Sequence, residues 1–398
     1  MKSKFFKLLK TNSDTKARTG IIHTSHGDIK TPFFAVVGTS ASVKTLSSEE
    51  VIETNTQLVL SNTYHLHLRP GEKTIKQLGG LSKFMNINLP TMTDSGGFQA
   101  MSLGAGREHG IGKIGFFPKG KSANNIIEKS LVKIREDGVE FRSHLDGSNH
   151  LFTPEISMQI QSDIGADIIF AFDECTSPFH DFEYTKKSME RTHRWAIRSL
   201  ESYNKKQYIY GIIQGGSYKD LRIESSRFID NLNFDGIAIG GALGETKESK
   251  NKILDYIVDN ISYGKPRHML GIGDVDDIFE AIERGIDSLD CVWFTRLARR
   301  NMYFIYPKDG GNITNRWRIN IRSAKNESNK PLSKYCKCWV CKKYSIGYIK
   351  HLVVANEILG MRLITYHNVY YVNNLMYIIR NSIINNSFQK LKSDWFGN

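Results

Sequence analysis

Short apolar, β-branched runs that break off into a polar residue or a glycine turn recur along most of the chain. They are Gln57–Leu60 into Ser61-Asn62, Thr91–Thr93 into Asp94, Ile168–Phe172 into Asp173 and Tyr208–Ile213 into Gln214. Ile237–Ile239 into Gly240-Gly241, His268–Leu270 into Gly271 and Ser288-Leu289 into Asp290 continue the series. Such runs are too short for helices and too continuously apolar for one-sided strands, which predicts strands buried on both faces. Helix-like stretches lie between them, such as Ser188–Tyr203 and Asp276–Gly285, and Thr153-Pro154-Glu155 supplies a cap followed by proline in the first turn. Strands alternating with helices form parallel β/α units. Seven or eight units predict an α/β fold, a (β/α)₈ TIM barrel, with an open doubly wound sheet as the alternative. In either, chemistry belongs at the C-terminal strand ends, where Asp94, Asp173, Gln214, Gly240, Gly241 and Asp290 stand.

Two stretches break the rhythm. Gly106–Lys129, rich in Gly and Lys, predicts a long surface loop, and Pro307–Asn315, with Asp309-Gly310-Gly311-Asn312, predicts a hairpin. The expected organisation is a catalytic barrel over 1–300 with an insertion near 106–129, a metal-binding subdomain with a basic surface over 301–370, and a C-terminal helical segment over 371–398 that packs on the barrel. A chain of 398 residues with 40% hydrophobic and 24% charged positions can bury a large core, and it has no apolar run long enough for a membrane span. Met1–Lys10 is basic, with only Phe5-Phe6 and Leu8-Leu9 as apolar pairs, too short for a signal peptide; a cytoplasmic location is expected.

Five cysteines do not read as a disulfide framework, because three crowd into Cys336-x-Cys338-x₂-Cys341. Three thiolates at that spacing can fold round one zinc, which needs a fourth ligand; His351 and His367 are the candidates. No acid nearby serves as a general base, so a closed structural site is expected. The net charge of +13 is concentrated around this cluster: Arg296–Tyr370 holds fifteen Lys and Arg against three acids. Such a face, with Arg296, Arg299, Lys337, Lys342 and Lys343, suits a polyanionic partner such as nucleic acid.

The strand ends carry the remaining chemistry. Asp94-Ser95-Gly96-Gly97-Phe98-Gln99 sets a carboxylate before two glycines and an aromatic that can cover a flat ring. Asp173-Glu174-Cys175 adds a carboxylate able to accept two N–H bonds, Gln214 a side-chain amide, and Gly240-Gly241 unobstructed main chain. The set suits a purine-like base and leaves Asp290 for nucleophilic or general-base work.

These residues resemble the tRNA-guanine transglycosylases, also called queuine tRNA-ribosyltransferases, over nearly the whole chain. The resemblance rests on Val37-Gly38-Thr39, Ser61–Leu66, Leu68–Gly71, Asp94–Gln99, Phe141–His144 with Asp146-Gly147-Ser148, Ala171–Cys175, Gln214-Gly215-Gly216, Asp290-Cys291-Val292 and the Cys/Cys/Cys/His set. It implies a (β/α)₈ barrel with a C-terminal zinc-binding insertion and a pentosyltransferase reaction: exchange of the wobble guanine of tRNAs with a G-U-N anticodon (Asp, Asn, His and Tyr). Asp290 is then the nucleophile and Asp94 the general acid and base. Asp173, Cys175, Gln214, Gly240 and Gly241 bind the base, Phe98 and Leu270 cover its faces, and Cys336, Cys338, Cys341 and His367 hold one structural zinc, leaving His351 as a packing residue. The family also implies a homodimer, and Cys175 matches members that take 7-aminomethyl-7-deazaguanine rather than queuine.

The chain departs from the pattern in places. Gly240-Gly241-Ala242-Leu243-Gly244-Glu245 is one residue shorter than the family's usual loop toward the exocyclic substituent, Leu270 stands for a usual Met, and Phe294–Asn301 differs at several positions. Gly106–Lys129 and part of Asn301–Asn320 are insertions. A catalytically impaired tRNA-binding paralogue is the alternative expectation; the presence of Asp94, Asp173 and Asp290 together favours the enzyme.

Overall fold

In the computed structural model, residues 5–101, 132–177, 180–241, 246–323 and 329–397 are described. The chain begins with an antiparallel sheet of β1 (Phe6–Thr11), β2 (Arg18–Thr24) and β3 (Gly27–Thr31). The barrel strands follow: β4 (Phe33–Val37), β5 (Val59–Ser61) and β6 (Thr91–Thr93). A second antiparallel sheet, β7 (Val132–Ile134), β8 (Val139–Arg142) and β9 (Asn149–Phe152), interrupts them before β10 (Ile168–Phe170), β11 (Tyr208–Ile213), β12 (Gly236–Ile239), β13 (Arg267–Met269) and β14 (Ser288–Asp290). An antiparallel pair, β15 (Met302–Phe304) with β16 (Arg318–Asn320), ends the strand series.

Strands β4, β5, β6 and β10–β14 form a closed barrel in chain order, so the open-sheet alternative falls and the fold is a (β/α)₈ barrel. Strands β6, β11 and β14 lie where the apolar runs placed them. One strand, Phe33–Val37, was not among the runs read from the sequence, although it too ends at a glycine, Gly38; all five of its residues are buried. The hairpin expected at Pro307–Asn315 is the connection between β15 and β16, opened by a 3₁₀ turn at Pro307–Asp309. The Gly106–Lys129 loop lies outside the described residues. No helix among them is long and apolar enough to cross a membrane.

Two compact units divide the chain. The first comprises Met1–Leu60, Met85–Thr91 and Pro266–Asn398, with the parallel arc β13-β14-β4-β5. Against β4 packs the helix Ile358–Ile384, 27 residues long, whose buried positions run from Gly360 to Ile383 at helical spacing. The second comprises Ser61–Phe84 and Met92–Lys265, with the arc β6-β10-β11-β12. Here the helix Pro154–Ile164 starts as its sequence predicted, with the Thr153 hydroxyl accepting from the Ile156 amide and Pro154 in the first turn, a cap that contributes about 1 kcal/mol. The helix Phe182–Ser202 begins six residues ahead of the predicted start, because Asp181 caps it by accepting from the Tyr184 amide at 2.8 Å.

At the N-terminal end of β14 lies a buried ion pair. Arg18 of β2, fully buried, donates from Nε to Asp287 Oδ1 at 3.0 Å and from Nη2 to Oδ2, and Asp287 also accepts the Arg267 amide at 2.8 Å. Breaking such a pair from one side strands a charge without solvent. Asp287→Ala is therefore expected to lower stability by about 3–5 kcal/mol, read as a drop in the urea midpoint; a change below about 1 kcal/mol refutes the role given to this pair.

Candidate active site and metal centre

The second unit holds most of the predicted base-reading residues. Asp94 follows β6 directly and is only part-exposed; its Oδ1 accepts the main-chain N–H of Thr63 at 2.9 Å and of Gly96 at 3.2 Å. Asn62 donates its side-chain amide to Asp94 Oδ2 while its own Oδ1 caps the helix Thr63–Leu68. One Asn thus starts a helix and holds the carboxylate. The next residue, Ser95, donates its hydroxyl to Asp173 Oδ1 at 3.1 Å, and Gln214 Nε2 donates to Asp173 Oδ2 at 2.7 Å. Asp94, Asp173 and Gln214 are thereby linked through adjacent strand ends.

Two glycines make this approach possible. A Cβ on Gly97 would come within 2.9 Å of the Asp173 carbonyl oxygen, and one on Gly241, whose φ is +79°, within 2.4 Å of Gln214 Oε1. Gln214 Oε1 is buried and, among the described residues, has no hydrogen-bond partner, so the site retains an acceptor for a ligand donor. Arg222, which the sequence reading missed, holds the floor of this region: fully buried, it donates to the carbonyls of Gly216 at 2.7 Å, Ile213 at 3.0 Å and Gly240 at 2.9 Å. Burial lowers its pKa to about 9. Its signal was available, because Arg222 shares the 222/225/226/229 face of the helix Lys219–Asn231 with Ser225, Ser226 and Ile229, a cation on an otherwise buried stripe.

Burial raises the Asp173 carboxyl to about 6, against the pull of its bonds from Gln214 and Ser95. Cys175, half-buried beside it, is pushed up to about 12 by burial and then by the Asp173 charge, and stays a neutral thiol. Phe98 is 39% exposed, open enough to cover a bound ring. Ala242–Glu245, the remainder of the shortened loop, lies outside the described residues.

The first unit holds Asp290 and Leu270. Asp290 closes β14 and accepts the Gly271 amide at 2.9 Å, with His268 Nε2 3.2 Å away. Leu270, expected in the strand, lies in the turn just after β13 and is half-buried. Cys291 is pushed up to about 12 by burial, and the helix Trp293–Ala298 begins at once after it.

Below this lies the metal centre. Cys336, Cys338, Cys341 and His367 are all buried, and their donor atoms lie within 4.8 Å of one another. His367 Nδ1 is 3.7 Å from Cys338 Sγ and 3.3 Å from Cys341 Sγ. Tetrahedral zinc, with Zn–S of about 2.3 Å and Zn–N of about 2.0–2.1 Å, sets its donors about 3.5–3.8 Å apart, so the set fits a metal ion of that kind. The tautomer agrees. His367 Nε2 lies 2.7 Å from the Phe304 carbonyl oxygen, which can only accept, so the proton is on Nε2 and the Nδ1 lone pair faces the thiols. His351, expected to pack internally, is exposed on the last turn of the helix Ile346–Val354. That helix starts at Ile346, where the Ser345 side chain caps it by accepting from the Tyr348 amide, and the next runs from Ile358 to Ile384. Lys337, Lys342 and Lys343 beside the cluster are exposed, while Arg296 and Arg299 are half-buried.

The Asp173 pKa carries a stability consequence. Its folded value lies above the usual 3.8, so the folded state holds a proton that the unfolded chain has lost; the contribution of this group to stability is full below about pH 4 and is lost as pH rises through about 6. Asp173→Asn is expected to be more stable than the parent above pH 6, by up to about 3 kcal/mol, with the gap closing toward pH 4. Urea titrations across that range measure it, and a pH-independent gap contradicts the assignment.

With the geometry in place, the comparisons with known proteins bear on it directly. The family model described as queuine tRNA-ribosyltransferase matches residues 13–398. A queuine tRNA-ribosyltransferase of Fusobacterium nucleatum is 45% identical, over 96% of this chain and 95% of its own length. Those of Ruminiclostridium cellulolyticum and of a Roseiflexus species are 44% and 42% identical, covering 98% and 96% of this chain and 97% and 96% of their own. Similarity at that level over almost the full length of each partner means that this chain belongs to the queuine tRNA-ribosyltransferase family.

Proposed function

We propose that this chain is a tRNA-guanine transglycosylase that exchanges the wobble guanine of G-U-N anticodon tRNAs for 7-aminomethyl-7-deazaguanine in queuosine biosynthesis. The observation that carries the reading is the set of three strand-end carboxylates held in three different ways: Asp94 by an amide side chain and main-chain N–H groups, Asp173 buried and shared by Ser95 and Gln214, Asp290 part-exposed at the end of β14. A paralogue that binds tRNA without turnover has no use for all three.

Asp173 and Gln214 read the donor and acceptor edge of the base, with Cys175 and the Gly240-Gly241 main chain alongside and Phe98 and Leu270 as its covers. Asp290 attacks the ribose C1′ as the C1′–N9 bond breaks, and Asp94 gives a proton to the departing guanine. A ribosyl ester on Asp290 results, as in retaining glycosidases. The incoming 7-deazaguanine loses its N9 proton to Asp94, its N9 attacks C1′, and the ester C1′–O bond breaks to restore the Asp290 carboxylate. Both carboxylates end each cycle as they began it, and no ATP is needed. Arg296, Arg299, Lys337, Lys342 and Lys343 bind the tRNA phosphates, Cys336, Cys338, Cys341 and His367 hold one structural zinc, and the active form is a cytoplasmic homodimer.

Labelled guanine is expected to enter unmodified tRNA of the G-U-N class, with 7-aminomethyl-7-deazaguanine competing better than queuine. Asp290→Asn is expected to bind tRNA but to lose exchange by at least about a thousandfold and to trap no covalent adduct. Retained exchange in that variant removes Asp290 as nucleophile. Emission spectroscopy is expected to find about one zinc per chain, and Cys338→Ala to lose both the metal and several degrees of thermal stability; a metal-free parent of equal stability contradicts the zinc assignment.

A further inference from the structure

The nucleophile carboxylate is anchored by one oxygen. Asp290 Oδ1 receives the Gly271 main-chain N–H at 2.9 Å and faces His268 Nε2 at 3.2 Å, and among the described residues no donor reaches Oδ2. His268 belongs to β13, where it pairs in register with Ser288 of β14, and its side chain is fully buried. Its Nδ1 lies 2.8 Å from the Ser288 hydroxyl oxygen. A carboxylate can only accept, so the proton facing Asp290 is on Nε2, while Ser288 engages the other ring nitrogen and fixes the ring plane. A buried imidazole thus bridges both ends of β14.

Resting on the transglycosylase reading above, we propose that His268 is a positioning residue that clamps Oδ1 of Asp290 and so presents Oδ2 as the oxygen that attacks C1′. The terminal torsion of an aspartate is broad and roughly two-fold, so an unclamped carboxylate spends much of its time turned away from a productive approach. Two donors on one oxygen remove that freedom. A nucleophile has to meet the anomeric carbon within a narrow distance and angle, and a misplacement of about 1 Å lowers rates about a hundredfold. The clamp also acts in the second half-reaction. In the ester, Oδ1 is the carbonyl oxygen; as the C1′–Oδ2 bond breaks, charge returns to the carboxyl group, and the donors from Gly271 and His268 are already aimed at it.

Two variants separate the donor from the ring. His268→Leu removes both hydrogen bonds, and His268→Gln restores an amide N–H near the position of Nε2. With full-length protein, unmodified tRNA and labelled guanine, His268→Leu is expected to lower kcat about 10- to 100-fold with the KM for tRNA unchanged. Covalent adduct formation is expected to slow in step, and His268→Gln to recover most of the loss. Should His268→Leu fail to fold, Ser288→Ala, which frees the ring from its second partner, is expected to lower kcat several-fold with the same unchanged KM. A His268→Leu, or in its place a Ser288→Ala, with kcat within about twofold of the parent overturns the inference, and so does a His268→Gln as slow as His268→Leu. A parent protein that exchanges no base overturns the transglycosylase reading and the inference together, whereas an exchanging parent with an undiminished variant overturns the inference alone.

Discussion

A carboxylate withdrawn from water has to be satisfied by something, and what satisfies it decides what it can do. Strand β14 shows both outcomes within four residues. At its start Asp287 is fully buried, paired with the Arg18 guanidinium and bonded to the Arg267 amide, so its charge is spent on holding the N-terminal sheet to the barrel strands. At its end Asp290 accepts from the Gly271 amide and faces His268 with one oxygen, while among the described residues no donor reaches the other. The short parallel strands, from three residues in β14 to six in β11, enforce this division. Most of their residues are apolar and fill the core, so the ion-paired carboxylate stands at one end of β14 and the part-exposed one at the other.

The same constraint separates the roles of the neighbouring groups. Thiols adjoin two of the carboxylates, Cys175 near Asp173 and Cys291 next to Asp290, and burial pushes each up to about 12. Neither is a thiolate near neutral pH, so neither competes as a nucleophile. Asp173 is raised by the same burial to about 6, within reach of ionisation at neutral pH, and there it can accept from a ligand. Its position costs stability, a common feature of functional sites whose groups are set for a ligand rather than for the empty fold.

The barrel was legible in the sequence at most of the buried runs that ended in a polar group or a glycine turn, because that junction marks the end of a strand and the start of a loop at once. Phe33–Val37, which ends at Gly38, was not read as a strand, nor were β1–β3, whose half-exposed positions, such as those of Phe6–Thr11, blur the contrast between buried and exposed runs. The candidate site was legible where a side chain declares its chemistry locally: Asp94, Asp173, Gln214 and the cysteines. His268 and Arg222 were not, for a common reason. Each is a polar residue on an inward-facing position of an element, and what it holds is set by strand register or helix packing rather than by neighbours in sequence. His351 and His367 could not be separated by spacing alone, and burial separates them: the first lies at an exposed helix end, the second inside the long helix that packs on β4.

That helix links the Cys/Cys/Cys/His cluster to the segment that follows Asp290. His367 directs Nδ1 to the thiols and Nε2 to the Phe304 carbonyl, and the next residue, Asn368, donates to the carbonyls of Phe294 and Met302 at 3.0 Å while accepting the Phe304 amide at 3.1 Å. Phe294 lies in the first turn of the helix that follows Asp290, with its ring 5.1 Å from that of Phe34 in β4. Two adjacent side chains therefore tie together a 27-residue helix, the strand β15 and the turn leaving Asp290. A metal held by His367 would fix the rotation of this helix about its axis, and Asn368 ties that rotation to the segment behind Asp290. By this chain of contacts the side chain that would hold the metal is tied to the segment that carries Asp290.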